Sequence, residues 1–164
     1  MKLTSINSSV SPKISIGEIT ATTSRINMGC RLSTISFEGG ASVEAYIKDA
    51  LINEIKAAGI HSDSATKKLS ANIDYINLDT FNAAEFITPM AQRFAEAKWH
   101  ITMTFKGDGI DPFTIPSIHM SPLRDGFFDW GDPCDNPSRQ FGPAVANMIN
   151  ILVNHPSFKE FVTK

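Results

Sequence analysis

Cysteine is scarce in this sequence: the chain of 164 residues contains two, and neither belongs to a CxxC pair. A zinc site made of cysteines needs several of them at short spacing, so this class of site is excluded. No apolar run approaches the roughly 18–20 residues that a helix needs to span a bilayer. The basic residues are scattered singly, so nothing indicates a nucleic-acid or anionic-membrane partner.

Motifs that carry catalytic chemistry are missing as well. No Gly-x-Ser-x-Gly elbow holds a nucleophilic serine, and no glycine-rich loop is placed to bind a phosphate. The serines lie in polar stretches and at helix caps, whereas a nucleophilic serine needs a base beside it. We therefore expect a protein that is not an enzyme and that holds no cofactor.

The composition is that of one globular domain, with 42% hydrophobic and 20% charged residues and a formal net charge of −2. Residues 1–12 are rich in serine and threonine, which predicts a flexible N-terminal arm. Residues 13–164 then form a single α+β domain. Residues 3–9 are too polar for the apolar centre of a signal peptide. The chain is therefore either cytosolic or the mature part of an exported protein.

Alternation of apolar and polar residues predicts four strands, at residues 13–23, 69–78, 99–105 and 113–120. Gly17 is expected to mark a bulge in the first strand. In the second strand, residues of one parity are expected to share one face of the sheet: Leu69, Ala71, Ile73 and Tyr75.

Two helices are predicted. Residues 42–58 carry apolar side chains three and four positions apart, with Ser42 as the N-cap and Gly59 just beyond the C-terminus. A second helix is expected at about residues 142–153, with Pro143 in its first turn.

The element order is therefore β-α-β-β-β-α. Between the second and third strands, residues 81–97 are interrupted by Pro89, and we expect a partly helical excursion there. A mostly antiparallel four-stranded sheet with the two helices packed on one face buries every apolar stripe. The expected fold class is α+β.

The two cysteines, Cys30 and Cys134, allow two interpretations. One is a pair of buried free thiols. The other is a disulfide between an early and a late loop, which in the chain-entropy model stabilises the fold by about 4–5 kcal/mol. Both cysteines stand beside loop-like sequence rather than inside apolar periodic runs. This favours the disulfide and an oxidising compartment.

Two histidines form the candidate metal or catalytic site. His100 and His119 fall on the two arms of the hairpin made by the third and fourth strands, where diagonal neighbours lie within about 7–8 Å. Asp111 or Asp125 could supply a third ligand. Zinc needs three or four converging ligands, so two surface histidines without a metal are the commoner situation. A small hydrolase with a site near this pair stays as one alternative.

The strongest candidate for a binding surface is the irregular stretch at residues 121–135. It places Arg124, Phe127 and Trp130 within a few positions of one another. Arginine and aromatic residues dominate the energetic centres of protein interfaces, and loops carry function more often than the elements they connect. The stretch therefore predicts contact with another protein.

Acidic residues run through the same stretch: Asp125, Asp129, Asp132 and Asp135. Their spacing is not that of a calcium-binding loop, and aspartates that form turns are the commoner explanation. A second alternative for the function follows from this charge. The chain would then be an inhibitor of the immunity-protein kind, whose acidic loop blocks a basic active site.

Three groups of residues resemble those of small Gram-negative lipoproteins: Phe37 with the helix at 46–55, Trp99-His100-Ile101 on a strand, and Phe141 to Ile149 with Pro156-Ser157-Phe158. The chain is similar in build to YajG-like and lipopolysaccharide-assembly lipoproteins. The resemblance implies a periplasmic interaction module that binds another envelope protein without catalysis, and it favours the bridge between the cysteines. It also implies outer-membrane tethering, through a lipid anchor that this sequence does not contain.

Overall fold

The computed structural model describes residues 13–30, 33–34, 37, 40–81, 96–121 and 135–164. The strands in these ranges are β1 (Ile14–Ala21), β2 (Ile26–Asn27), β3 (Gly29–Cys30), β4 (Ser33–Thr34), β5 (Lys67–Phe81), β6 (Glu96–Gly107) and β7 (Phe113–Met120). The helices are α1 (Val43–Ala57), α2 (Asp135–Asn154) and α3 (Pro156–Thr163). A short 3-10 turn, Thr23–Arg25, separates β1 from β2.

The main sheet has five strands. Its order is β1-β5-β6-β7, and β2 pairs with β5 farther along the same edge as β1. The pairs β5–β6 and β6–β7 are antiparallel, whereas β1 and β2 both run parallel to β5. The predicted α+β fold is confirmed, with three differences: β2 is an additional short strand of the main sheet, β3 and β4 form a separate two-stranded sheet, and a third helix follows the second.

Helix α1 forms where its local signals predict it. The hydroxyl of Ser42 accepts a hydrogen bond from the backbone N–H of Ala45 at 3.2 Å, which satisfies one free donor at the helix start. Gly59 adopts a φ of 74° beyond the last turn, a conformation that costs glycine little. The buried residues of the helix lie on one stripe: Val43, Ile47, Leu51 and Ile55.

The core lies between one face of the sheet and the helices. Strand β6 contributes Trp99, Ile101, Met103 and Phe105, all nearly inaccessible to water. Helix α2 covers them with Phe141, Val145, Met148 and Leu152, and α3 adds Phe158 and Phe161. Burying one such side chain stabilises the fold by about 1.5–3 kcal/mol, so the helices are held on this face chiefly by apolar contact.

Helix α2 begins earlier than predicted, and the expected place of Pro143 in its first turn is wrong. The helix starts at Asp135, so Pro143 lies in its interior and Pro137 is the proline of the first turn. Trp99 explains the extra turns, because its indole N–H donates to the carbonyl of Pro137 at 3.1 Å. Its ring also packs edge-on against Phe141, with 4.9 Å between centroids. This tertiary packing outweighs the roughly 3 kcal/mol that an interior proline costs.

A bulge in β5 changes which residues face the core. Ile73 is opposite Met103 and Tyr75 is opposite the next residue, Thr102, so Asp74 is an extra residue on β5 with no opposite residue on β6. The apolar parity therefore shifts from Ile73 to Ile76. Placing Tyr75 with Ile73 on one face was wrong, since Tyr75 is 39% exposed and Ile76 is fully buried.

The bulge predicted at Gly17 is confirmed. The register of β1 against β5 shifts between Ile16 and Ile19. A Cβ on Gly17 would lie 2.2 Å from Oγ of Ser70, closer than any real contact. A larger residue here would force the side chains of Ser70 and Lys68 on β5 to move.

The excursion expected at residues 81–97 is shorter than predicted. Phe81 is the last residue of β5, and Glu96 and Ala97 are the first residues of β6. Phe81 pairs with Glu96, and Thr80 pairs with Ala97. Residues 82–95 lie outside the described residues, so the helical part of that prediction stays a prediction.

Candidate functional site

The two histidines of the proposed metal or hydrolase site lie on opposite faces of the sheet. In the β6–β7 pair His119 is opposite Trp99, and His100 is opposite Ile118. Because side chains alternate along a strand, His119 shares the helix-covered face with buried Trp99, whereas His100 points to the other face. A site that uses both histidines is therefore wrong. The two positions differ by one residue in register, and diagonal neighbours on one face differ by two.

His119 is paired with a residue of helix α2. Nε2 of His119 lies 3.1 Å from Oε1 of Gln140 on α2, which fixes the ring between strand and helix.

Among the described residues, the structure brings no predicted third metal ligand to this pair of histidines. Asp111 follows the turn at the far end of the hairpin, and Asp125 lies outside the described residues. Within the described part of the chain, no three His, Cys, Asp or Glu side chains converge as metal ligands would.

The face of the main sheet that points away from the helices is the candidate site, and we call it the open face. Strands β1, β2, β5, β6 and β7 all contribute to it. Its central residues are Thr20, Asn27, Asn72, Asp74, Tyr75, Asn77, Asp79, Lys98, His100, Thr102, Thr104, Thr114, Pro116, Ile118 and Met120. Most of these side chains are polar and bond to one another rather than to the core.

One ladder of hydrogen bonds crosses four strands of the open face, with Asp74 at its centre. Thr20 donates to Oδ1 of Asn72 at 2.9 Å, and Nδ2 of Asn72 donates to Oδ1 of Asp74 at 2.6 Å. The hydroxyl of Thr104 donates to the other oxygen of Asp74 at 2.6 Å, and Thr114 lies 2.9 Å from Thr104. Hydrogen bonds to an ionised carboxylate are roughly twice as strong as neutral ones, so Asp74 joins the bulged segment of β5 to β6 and, through Asn72, to β1.

A second, shorter ladder lies nearer the end of the sheet. Nδ2 of Asn27 donates to Oδ1 of Asn77, and Nδ2 of Asn77 donates to Oδ1 of Asp79, each at 2.8 Å. Nε2 of His100 lies 3.4 Å from Oδ2 of Asp79. That nitrogen is inaccessible to water and makes no hydrogen bond of good geometry within the described residues. The ladder therefore ends at a histidine held beside a carboxylate.

Apolar side chains interrupt this polar surface next to the second ladder. Ile118 and Met120 on β7 are each 54% exposed, and Tyr75 on β5 is 39% exposed. Ile118 is opposite His100 and Met120 is opposite Lys98. We call Tyr75, Ile118 and Met120 the apolar group of the open face. Ile118 and Met120 are neighbours on the outward side of β7, and Tyr75 lies two strands away, in the row of Thr102 and Pro116. Exposed apolar side chains on a surface of hydrogen-bonded polar groups are candidate contact points for other molecules.

The sequence contains a signal for this group that the alternation pattern obscured. On β7 the core residues have odd numbers up to Ser117, so an apolar residue with an even number faces away from the core. Ile118 and Met120 are apolar residues on that outward parity. For Tyr75 the signal is the change from Ile73 to Ile76, an odd spacing within one strand that indicates a bulge.

The binding loop predicted at residues 121–135 lies almost entirely outside the described residues. Ser121, which is buried, and the backbone of Asp135 in α2 are its two described ends. The predicted contact residues therefore stay predictions: Arg124, Asp125, Phe127, Asp129, Trp130 and Asp132. Cys134 also lies outside, whereas Cys30 is in β3, where its backbone pairs with Ser33 of β4.

Comparison with known proteins relates the fold to that of two bacterial proteins of known structure. No family model matches the chain, and no curated protein is similar to it in sequence. A protein of the DUF330 family from Xanthomonas campestris is similar in structure, with 13% identity, a TM-score of 0.51, and coverage of 88% of this chain and 82% of that one. A minor lipoprotein from Acinetobacter baumannii has 10% identity and a TM-score of 0.53, with 92% and 94% of the two chains covered.

At these identities the likeness concerns the fold alone. It agrees with the expected resemblance to bacterial lipoproteins at that level. Among the helices of the described residues, none has an apolar stretch long enough to cross a bilayer.

The ladder predicts that Asp74→Ala destabilises the protein by about 1–3 kcal/mol, because two buried or half-buried donors lose a charged acceptor. Asp79→Ala is the matched control, since Asp79 is 61% exposed and accepts one bond from Asn77. Unfolding of both variants in urea provides the measurement. Equal losses of unfolding free energy in the two variants would contradict the central role of Asp74.

Proposed function

We propose that this chain is a non-catalytic interaction module of the bacterial cell envelope, which binds another envelope protein through the open face. The observation that carries the proposal is the apolar group, Tyr75, Ile118 and Met120, exposed on a surface of hydrogen-bonded polar side chains. The fold supports it, because the minor lipoprotein from Acinetobacter baumannii has the same fold over 92% of this chain.

The ladders favour binding over catalysis. Both oxygens of Asp74 accept hydrogen bonds, and the amide of Asn72 is used on both its oxygen and its nitrogen. Each of these groups is already engaged with another residue of the sheet. They do hold the surface in one shape, and a preorganised surface loses less conformational entropy when a partner binds.

The predicted binding loop extends the same surface in our proposal. Ser121 follows directly on Met120, so the loop begins at the margin of the apolar group. Arg124, Phe127 and Trp130 would then add the anchor residues that dominate interfaces. Asp125, Asp129 and Asp132 would form its polar rim and contribute to the rate of association rather than to its strength.

A periplasmic location, tethered to the outer membrane as in YajG-like and lipopolysaccharide-assembly lipoproteins, belongs to this proposal, and so does the disulfide. Described residues three positions from each cysteine are linked through the same part of the sheet. Asn27 of β2, three residues before Cys30, pairs with Asn77, next to Leu78. Leu78 is opposite Trp99, whose indole bonds to Pro137, three residues after Cys134. A Cys30–Cys134 bridge would require these two chain segments to bring the Cα atoms of the cysteines within about 7 Å of each other.

We expect intact-mass measurement to detect that bridge in protein made under oxidising conditions. The mass should be lower by two hydrogen atoms than that of the reduced protein, and neither thiol should take up an alkylating label before reduction. Alkylation at both thiols without reductant would contradict the bridge. It would also remove the support that the bridge lends to a periplasmic location.

Photo-crosslinking in the native cells tests the proposed binding surface. A photoreactive amino acid at position 118 or 120 should crosslink to one envelope protein, and the same group at Asn53, exposed on α1, should not. Adding Ile118→Asp to the variant with the group at position 120 should reduce the yield at least tenfold, because a charge is then buried against an apolar contact. Equal yields from positions 120 and 53, or a yield that Ile118→Asp leaves unchanged, would contradict the proposal.

The same experiment separates the inhibitor alternative. If the acidic loop makes the contact, replacing Asp125, Asp129 and Asp132 together by Asn should abolish the crosslink, and added salt should weaken binding strongly. If the apolar group makes it, the crosslink should survive that replacement and depend little on salt.

A further inference from the structure

Strand β7 forms one edge of the main sheet. Within the described ranges it pairs with β6 alone, so its other side presents backbone N–H and C=O groups. An edge of this kind is a template on which a second copy or an extended peptide can add a strand. Exposed Ile118 and Met120 on the same strand increase that risk, because they would be buried by such pairing.

Pro116 removes one donor in the middle of this edge. Proline has no backbone N–H, and inside a strand it is tolerated where its nitrogen faces away from the partner strand. Pro116 is opposite Thr102 of β6 without disturbing the register on either side, so its nitrogen points to the free side of β7. Residues two positions apart point their backbone groups in the same direction. The backbone groups of Thr114 and Ile118 therefore also face the free side.

Asn147 occupies the next position along the edge. Its Nδ2 donates to the carbonyl oxygen of Ile118 at 3.2 Å and to the hydroxyl of Ser117 at 2.9 Å. The side chain comes from α2, which packs against β7, so it reaches the edge from the core side of the sheet. The carbonyl of Ile118 is one that an added strand would need as its acceptor. Asn147 satisfies it within the molecule.

We infer that Pro116 and Asn147 together close the middle of the β7 edge to strand addition. Pro116 has no N–H to donate, and the carbonyl of Ile118 already accepts a hydrogen bond from Asn147. An incoming strand therefore loses two neighbouring backbone hydrogen bonds in the middle of the edge. The inference concerns self-association and the pairing of extended peptides, and it holds whether or not the proposed function does. If the proposed function also holds, the envelope partner contacts side chains of the open face and does not extend the sheet at β7.

The double variant Pro116→Thr/Asn147→Ala tests this closure. Threonine restores the backbone N–H and suits a strand, and alanine frees the Ile118 carbonyl without disfavouring the helix. Sedimentation velocity at increasing concentration should show a shift of the double variant to dimers and larger species relative to the parent protein. Asn150→Ala is the matched control on α2, because Asn150 bonds to Asn154 of the same helix, and it should leave sedimentation unchanged.

Hydrogen exchange of the parent protein keeps the inference testable if the double variant does not fold. The amides of Thr114 and Ile118 should exchange at rates that do not depend on protein concentration, because a closed edge takes no strand from a second copy. Slower exchange of these two amides at higher concentration would overturn the inference. A folded double variant that sediments like the parent at every concentration would overturn it too.

Discussion

The structure depends on one extra residue in the central strand. Strand β5 pairs on both sides, and the bulge at Asp74 lets Ile73 and Ile76 both face the helices although their spacing is odd. Without the bulge, one end of β5 would turn its apolar residues to solvent, because side chains alternate strictly along a regular strand. Two 2.6 Å hydrogen bonds to the carboxylate of Asp74, from β5 itself and from β6, hold that geometry.

The open face follows from this constraint. The bulge turns Tyr75 outward and places Asp74 where it can join Asn72 to Thr104, so the same residue that preserves the core organises the surface. At one margin of that surface, Pro116 and Asn147 leave the β7 edge unsuited to strand pairing. The protein therefore presents the side chains of the open face to a partner, next to an edge whose backbone is closed to strand pairing.

Local signals predicted most of the fold but not the arrangement of the site. Helix α1 was predictable because Ser42 and Gly59 mark its ends within a few residues. The start of α2 was not, since it depends on the contact between Trp99 and Pro137, which are distant in sequence. The prediction that His100 and His119 share one site was wrong because a shift of one residue in register moves a side chain to the other face of the sheet. The periodicity of the sequence does not give the register between two strands.

The ladder and the open face both depend on the register around Asp74, and nuclear Overhauser contacts between β5 and β6 measure that register directly. We predict cross-strand contacts of Ile73 with Met103, of Tyr75 with Thr102 and of Ile76 with Ile101. A regular strand would instead place Tyr75 opposite Ile101. Contacts between Tyr75 and Ile101, with none to Thr102, would remove the bulge, the ladder centred on Asp74 and the open face described above.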